Sequence, residues 1–110
     1  MPRVLNRRTN GIPRGAVYVG RPTKFGNPMT IKEVKRLFPT FDDEEAYQAA
    51  VDWYAEYLGE YLKLHPEFWD EIRKLHGKDL VCWCKPLPCH ADILLRIADI
   101  LWRIANVSNI

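Results

Sequence analysis

Three cysteines and a histidine fall within one short stretch of this 110-residue chain, LVCWCKPLPCH: Cys82, Cys84, Cys89 and His90. Three sulfurs and an imidazole nitrogen are a donor set suited to tetrahedral zinc, so a zinc site on all four is one chemistry this stretch could support. The spacing C-x-C-x4-C-H is unusual for that purpose, because structural zinc sites generally use two knuckles separated by a longer loop. Neighbouring residues at a helix start also point about 100° apart, which predicts awkward shared coordination by Cys89 and His90. A second chemistry is that of a reactive thiol. Cys89 sits where a helix begins, and the positive end of the helix dipole favours a thiolate there. His90, or Asp92 beside it, would orient or protonate a substrate, which makes Cys89, His90 and Asp92 the candidate catalytic group. On this view Cys89 reacts before Cys82, and Cys84 pairs with Cys89 in a disulfide or resolves one. The third reading is packing. Cys82 and Cys84 lie two apart on a strand and share one face, with Trp83 on the other, and free cysteine is among the most buried residue types.

A second loop, GRPTKFGNP over residues 20–28, carries groups of another kind. Gly26 lets backbone approach a ligand, Asn27 offers a carboxamide, and Arg21 and Lys24 are cations. The alternative is a stiff connector, in which proline sets the turns and Gly26 takes a positive φ. Residues 1–32 hold Arg3, Arg7, Arg8, Arg14, Arg21, Lys24 and Lys32 and no carboxylate side chain, whereas residues 33–110 carry nine basic and fourteen acidic side chains. A cationic third on an acidic body points to an anionic partner, either phosphate or nucleic acid, unless the charges form a solvated arm.

These loops need a frame. Residues 16–20, Ala-Val-Tyr-Val-Gly, read as a buried strand between glycines, and Val4-Leu5 as a shorter one. Thr30 with Glu33, and Asp42 with Glu45, are capping-box signatures. They predict a helix from Ile31 to Phe38, ended by Pro39, and a longer one reaching Lys63 with Tyr47, Val51, Tyr54, Leu58 and Tyr61 on its apolar face. Pro66 suits the first turn of a third helix and Gly77 its stop. Residues 78–84 read as a strand buried on both faces, and a last helix begins near Cys89 or His90 with a wide apolar stripe. The four tryptophans are expected in the core, and the remaining histidines, His65 and His76, to have local structural roles.

The sum is an α/β fold: a short, at least partly parallel sheet covered by about four helices in two or three layers. One domain is expected, with a basic strand and loop region (1–30), a helical body (31–77) and a strand–loop–helix unit (78–107). Ligands in such sheets bind beyond the carboxyl ends of parallel strands. Both loops leave strands at that end, which makes Arg21, Lys24, Gly26 and Asn27 candidate ligand-binding residues. The charged, broken hydrophobic segments predict no membrane span, and the N-terminal residues lack the apolar core of a secretory signal, so a cytoplasmic protein is expected. The rich Glu, Lys, Arg, Ile and Leu content with a single Gln leans toward a thermophile.

GRPTKFGNP followed by GKDLVCWCKPLPCHADIL, together with Val4-Leu5-Asn6-Arg7-Arg8 near the start, resembles a small domain-of-unknown-function family found in phages, bacteria and archaea. The likeness spans roughly residues 4–97. It implies that Asn6, Arg21, Gly26, Asn27, Cys82, Cys84, Cys89, His90 and Asp92 form one constellation, and it names no reaction. The resulting expectation is a domain that binds a nucleotide or other phosphorylated small molecule, with Cys89 and His90 nearest any chemistry. The alternative is a zinc- or disulfide-stabilised module that binds nucleic acid through its basic N-terminal third.

Overall fold

Leu80, Val81 and Cys82 are buried on both faces, as their unbroken apolar run predicts for a central strand of a parallel sheet. A computed structural model, which describes residues 2–108, shows how they are flanked. The elements are β1 (Val4–Asn6), α1 (Arg7–Asn10), β2 (Val17–Tyr18), α2 (Ile31–Leu37), α3 (Asp43–Leu64), α4 (Phe68–Arg73), β3 (Leu80–Cys82) and α5 (His90–Ser108). The three strands are ordered β1-β3-β2 and both pairings are parallel. Val4 and Val17 both stand level with Leu80, so all three strands end together beyond Asn6, Tyr18 and Cys82. The fold is a small α/β fold, as expected, with a wholly parallel sheet.

The helices form where their caps are. Asp42 accepts from the Glu45 backbone N–H while the Glu45 carboxylate accepts from the Asp42 N–H, a complete capping box. Thr30 caps α2 by accepting from the Glu33 N–H. Gly77 takes φ 80° in the turn before β3, the left-handed conformation that glycine adopts without strain. The strands are shorter than the sequence suggests, although the Val19 N–H still donates to the Val81 carbonyl past the end of β2. α1 was not expected at all. Its four residues, Arg-Arg-Thr-Asn, have no apolar period, and the helix is held instead by Asn6, whose side chain accepts from the Arg8 N–H.

The main core gathers Leu80 and Cys82 from β3, Tyr54, Leu58 and Leu62 from α3, Phe68 and Ile72 from α4, and Leu94 and Ala98 from α5. A second cluster, Val34, Ala46 and Ala50, seats α2 against the first half of α3. The buried face of α3 is thus Ala46, Ala50, Tyr54, Leu58 and Leu62, turned from the expected stripe. The two alanines let α2 approach closely, and Tyr47 and Tyr61 are left half-buried at the flanks. The tryptophans also depart from expectation: all four are at least 37% exposed. No helix among the described residues is long and apolar enough to cross a membrane.

Candidate functional site

At the carboxyl ends of the strands the chain leaves a cleft of about 290 Å³. One wall is the segment after β2, with Gly20, Arg21 and Asn27. Another is the exit from β3, with Trp83, Cys84 and Pro88, and the third is Tyr47, Ala50 and Val51 of α3. The two loops singled out by their composition therefore line one cavity, and each contains a cis peptide bond, Arg21–Pro22 and Lys85–Pro86. Arg21 is the only Lys or Arg among the lining residues, and no Asp or Glu lines the cleft.

The floor is the thiol cluster. The Cys82 and Cys84 sulfurs lie 3.8 Å apart, and the Sγ atoms of Cys82, Cys84 and Cys89 all fall within 4.8 Å of one another. His90 Nδ1 approaches Cys82 Sγ at 3.9 Å and Cys89 Sγ at 3.8 Å. On the far side of the ring, Nε2 lies 2.9 Å from the Val19 carbonyl oxygen. A carbonyl only accepts, so Nε2 carries a proton, and Nδ1 is the ring nitrogen that faces the sulfurs. The three cysteines are free thiols that could hold a metal ion. Donation from Cys84, and then from Cys89, holds Cys82 well below the ordinary thiol range. The same contact with Cys82 pushes Cys84 up to about 12 and raises Cys89 as well. The cluster thus favours one shared thiolate, centred on Cys82.

Two expectations about these thiols are corrected. Cys89 and His90 converge despite being adjacent, because Cys89 precedes the first helical residue and its side chain does not follow the α5 spiral. Cys89 is also no exposed nucleophile. It is 1% exposed and belongs to the core, whereas Cys84 is half-buried and lines the cleft.

The other predicted residues divide into two groups. Arg21 and Asn27 reach the cleft wall, along with Cys82, Cys84 and His90. The Asn27 amide, however, is engaged with the fold: Nδ2 donates to the Ala50 carbonyl and Oδ1 accepts from the Met29 N–H. Asn6 is not on the wall. Its Nδ2 donates to the carbonyls of Trp83 and Lys85 at 3.1 and 2.6 Å, clamping the end of β1 to the exit from β3. Lys24 is paired with Glu71 at 2.7 Å, and Asp92 with Lys85 at 2.9 Å. Gly26 has no positive φ. A Cβ there would lie 3.0 Å from the Arg21 backbone, so its role is close approach beneath Arg21.

Sequence reasoning missed an aromatic rim. Tyr18 and Trp83 line the cleft, and the Trp83 Nε1–H donates to the Tyr18 hydroxyl, which itself donates to the Arg21 carbonyl. The Arg7 guanidinium lies over both rings, 4.9 Å from the centre of Tyr18 and 5.4 Å from that of Trp83. A tryptophan between two cysteines at a strand end was the available signal, since its side chain must face away from theirs. Tyr47 forms the opposite wall, its hydroxyl pushed up first by burial and then by the nearby Cys84 sulfur.

No curated protein and no solved structure matches this chain. A family model does, and it spans both cleft loops and the whole thiol cluster. It covers residues 4–100 and is described as Domain of unknown function (DUF4326), and the chain belongs to that family.

Proposed function

We propose that the domain binds a nucleotide or a similar phosphorylated small molecule in the cleft at the carboxyl ends of its parallel strands. The observation that carries this reading is the lining: an arginine, aromatic edges on both sides, and no carboxylate. Arg21 would hold the phosphate, and Tyr18, Trp83 and Tyr47 would bound the remainder of the ligand. Beneath it lies a thiol–imidazole floor whose donors suit zinc. Burial of Cys89 and the pairing of Asp92 with Lys85 argue for binding over thiol catalysis, and of the two thiols that line the cleft Cys84 is the more exposed.

A specific observation favours a second reading. Among the described residues, the side chains of Arg3, Arg7, Arg8, Arg14 and Arg21 form no ion pair, whereas Lys24 and Lys85 do. Five uncompensated arginines at one end of the chain suit a nucleic-acid backbone. One titration separates the two readings. Mononucleotides and a short single strand are each added to the protein at low and moderate salt. A small-molecule site gives saturable nucleotide binding that Arg21→Gln weakens by roughly 10–100-fold, the loss of a charge-assisted contact worth about 1.5–3 kcal/mol. A nucleic-acid module gives strand binding alone, steeply salt-dependent, which charge reversal at Arg7 and Arg8 flattens. Absence of nucleotide binding, with inorganic phosphate also silent, would exclude the first reading.

A further inference from the structure

We infer that Cys82, Cys84, Cys89 and His90 together hold a zinc ion, in a closed site with no position left for an exchangeable ligand. The inference is independent of what occupies the cleft. Geometry supports it first. Ligands about 2.3 Å (sulfur) and 2.0–2.1 Å (nitrogen) from a tetrahedral centre lie about 3.8 Å apart for two sulfurs and about 3.6 Å apart for sulfur and nitrogen. The measured edges are 3.8 Å between Cys82 and Cys84, 3.9 Å between Cys82 and His90, and 3.8 Å between Cys89 and His90. The three sulfurs lie within 4.8 Å of one another, and His90 stands at ligand spacing from two of them, so side-chain rotations that draw His90 and Cys84 together would complete the site.

The imidazole supplies the second argument. Ligating histidines almost always donate their other N–H to a carbonyl or carboxylate, which fixes ring and tautomer. His90 does this through the Val19 carbonyl at 2.9 Å, with Nδ1 facing two sulfurs. The ring is only 5% exposed, and no carboxylate accompanies it. Simple packing of small thiols explains neither this orientation nor the convergence on Nδ1. A disulfide does not explain it either, because bonded sulfurs lie about 2.05 Å apart and these stand in contact without a bond.

The elements joined indicate what the ion does. Cys82 ends β3, Cys84 lies in the loop beyond it, Cys89 precedes α5 and His90 opens it. Through Val19 the site also reaches the end of β2. Two very short strands and the N-terminus of the last helix would thus be fastened at one point. Binding free energy of this kind is folding free energy, because the unfolded chain has no assembled site.

The test uses the whole untagged chain. Elemental analysis of protein purified without chelator is expected to give about one zinc per chain, and EDTA to lower its melting temperature. Replacement by Co2+ is expected to give the intense visible bands of a tetrahedral thiolate site. Cys84→Ser is the informative variant, since that position is half-buried and tolerates a hydroxyl. It is expected to stay folded, to weaken the Co2+ thiolate absorption, and to cost more zinc affinity than the ~10–100-fold that loss of an outer-shell partner costs. A folded protein with no bound metal, no Co2+ spectrum and a melting temperature indifferent to Zn2+ and EDTA would overturn the inference. So would a Cys84→Ser protein that binds Zn2+ as tightly as the parent.

Discussion

At the scale of single residues, type proves a poorer guide to role than surroundings. Asn6 and Asn27 have the carboxamides expected of a ligand site, yet both are engaged with backbone carbonyls and N–H groups of the fold. Cys82, Cys84 and Cys89 are the same side chain in three environments. Cys84 is held up to about 12 by donating to Cys82, which makes it a poor nucleophile, but it is the thiol that reagents can reach. Cys82 and Cys89 are 4% and 1% exposed. In metal-free protein at neutral pH, iodoacetamide is therefore expected to label Cys84 ahead of the other two, followed by peptide mass mapping. Slow labelling overall fits its raised pKa. Modification of Cys89 first would mean that the start of α5 opens more readily than its packing allows.

At the scale of elements, capping and period made the helices legible, and packing decided what they could not. Thr30 and Asp42 both cap their helices through the side chain, but only Asp42 with Glu45 completes the box, the Glu33 carboxylate turning to Arg36 instead. The buried face of α3 was misjudged because Ala46 and Ala50 carry little hydrophobic signal, although their small size is what seats α2. α1 was invisible for want of any apolar residue. The convergence of Cys89 with His90 depends on the path of residues 85–88, which local propensity does not encode. Tyr54 shows how one helix position ties the site to the core. It is 1% exposed, and its hydroxyl donates to the Phe25 carbonyl at 2.8 Å, holding the loop that contains Gly26 and Asn27. Burial first, then the neighbouring Tyr57, Cys89 and Cys82, push its hydroxyl above the ordinary tyrosine range. The folded state therefore favours the neutral phenol. Its contribution is fully present below the unfolded value of about 10 and is lost as pH rises beyond it toward the folded one. Tyr54→Phe is expected to cost about 0.5–1.5 kcal/mol in denaturant melts at pH 7 and to make the decline above pH 10 shallower. An unchanged alkaline decline in the variant would assign that decline to other groups.

At the scale of the whole molecule, the α/β class and the meeting of two distant loops were readable from the alternation of strands with helices. The strand order was not, because nothing in Val4–Asn6 or Val17–Tyr18 states which partner it takes. That order has a consequence for how the protein comes into being. β1 and β2 are the first strands to be synthesised, but they never pair with each other; each pairs only with β3, and Val4 waits for Leu80. A chain emerging from the ribosome therefore carries its arginine-rich first third as an unpaired tail until most of the protein has been made. Contacts so far apart in sequence also form late, since a long loop must close before they contribute. The thiols and His90 leave the ribosome together with β3, so the sheet and its fastening become available in the same moment. A chain ended after residue 77 should accordingly leave the N-terminal amides open to hydrogen exchange. In the 110-residue chain, the Val19 N–H, bonded to the Val81 carbonyl at 2.9 Å, should exchange slowly. Protection of Val19 in the shortened chain would mean that the first two strands find a partner the finished fold does not use.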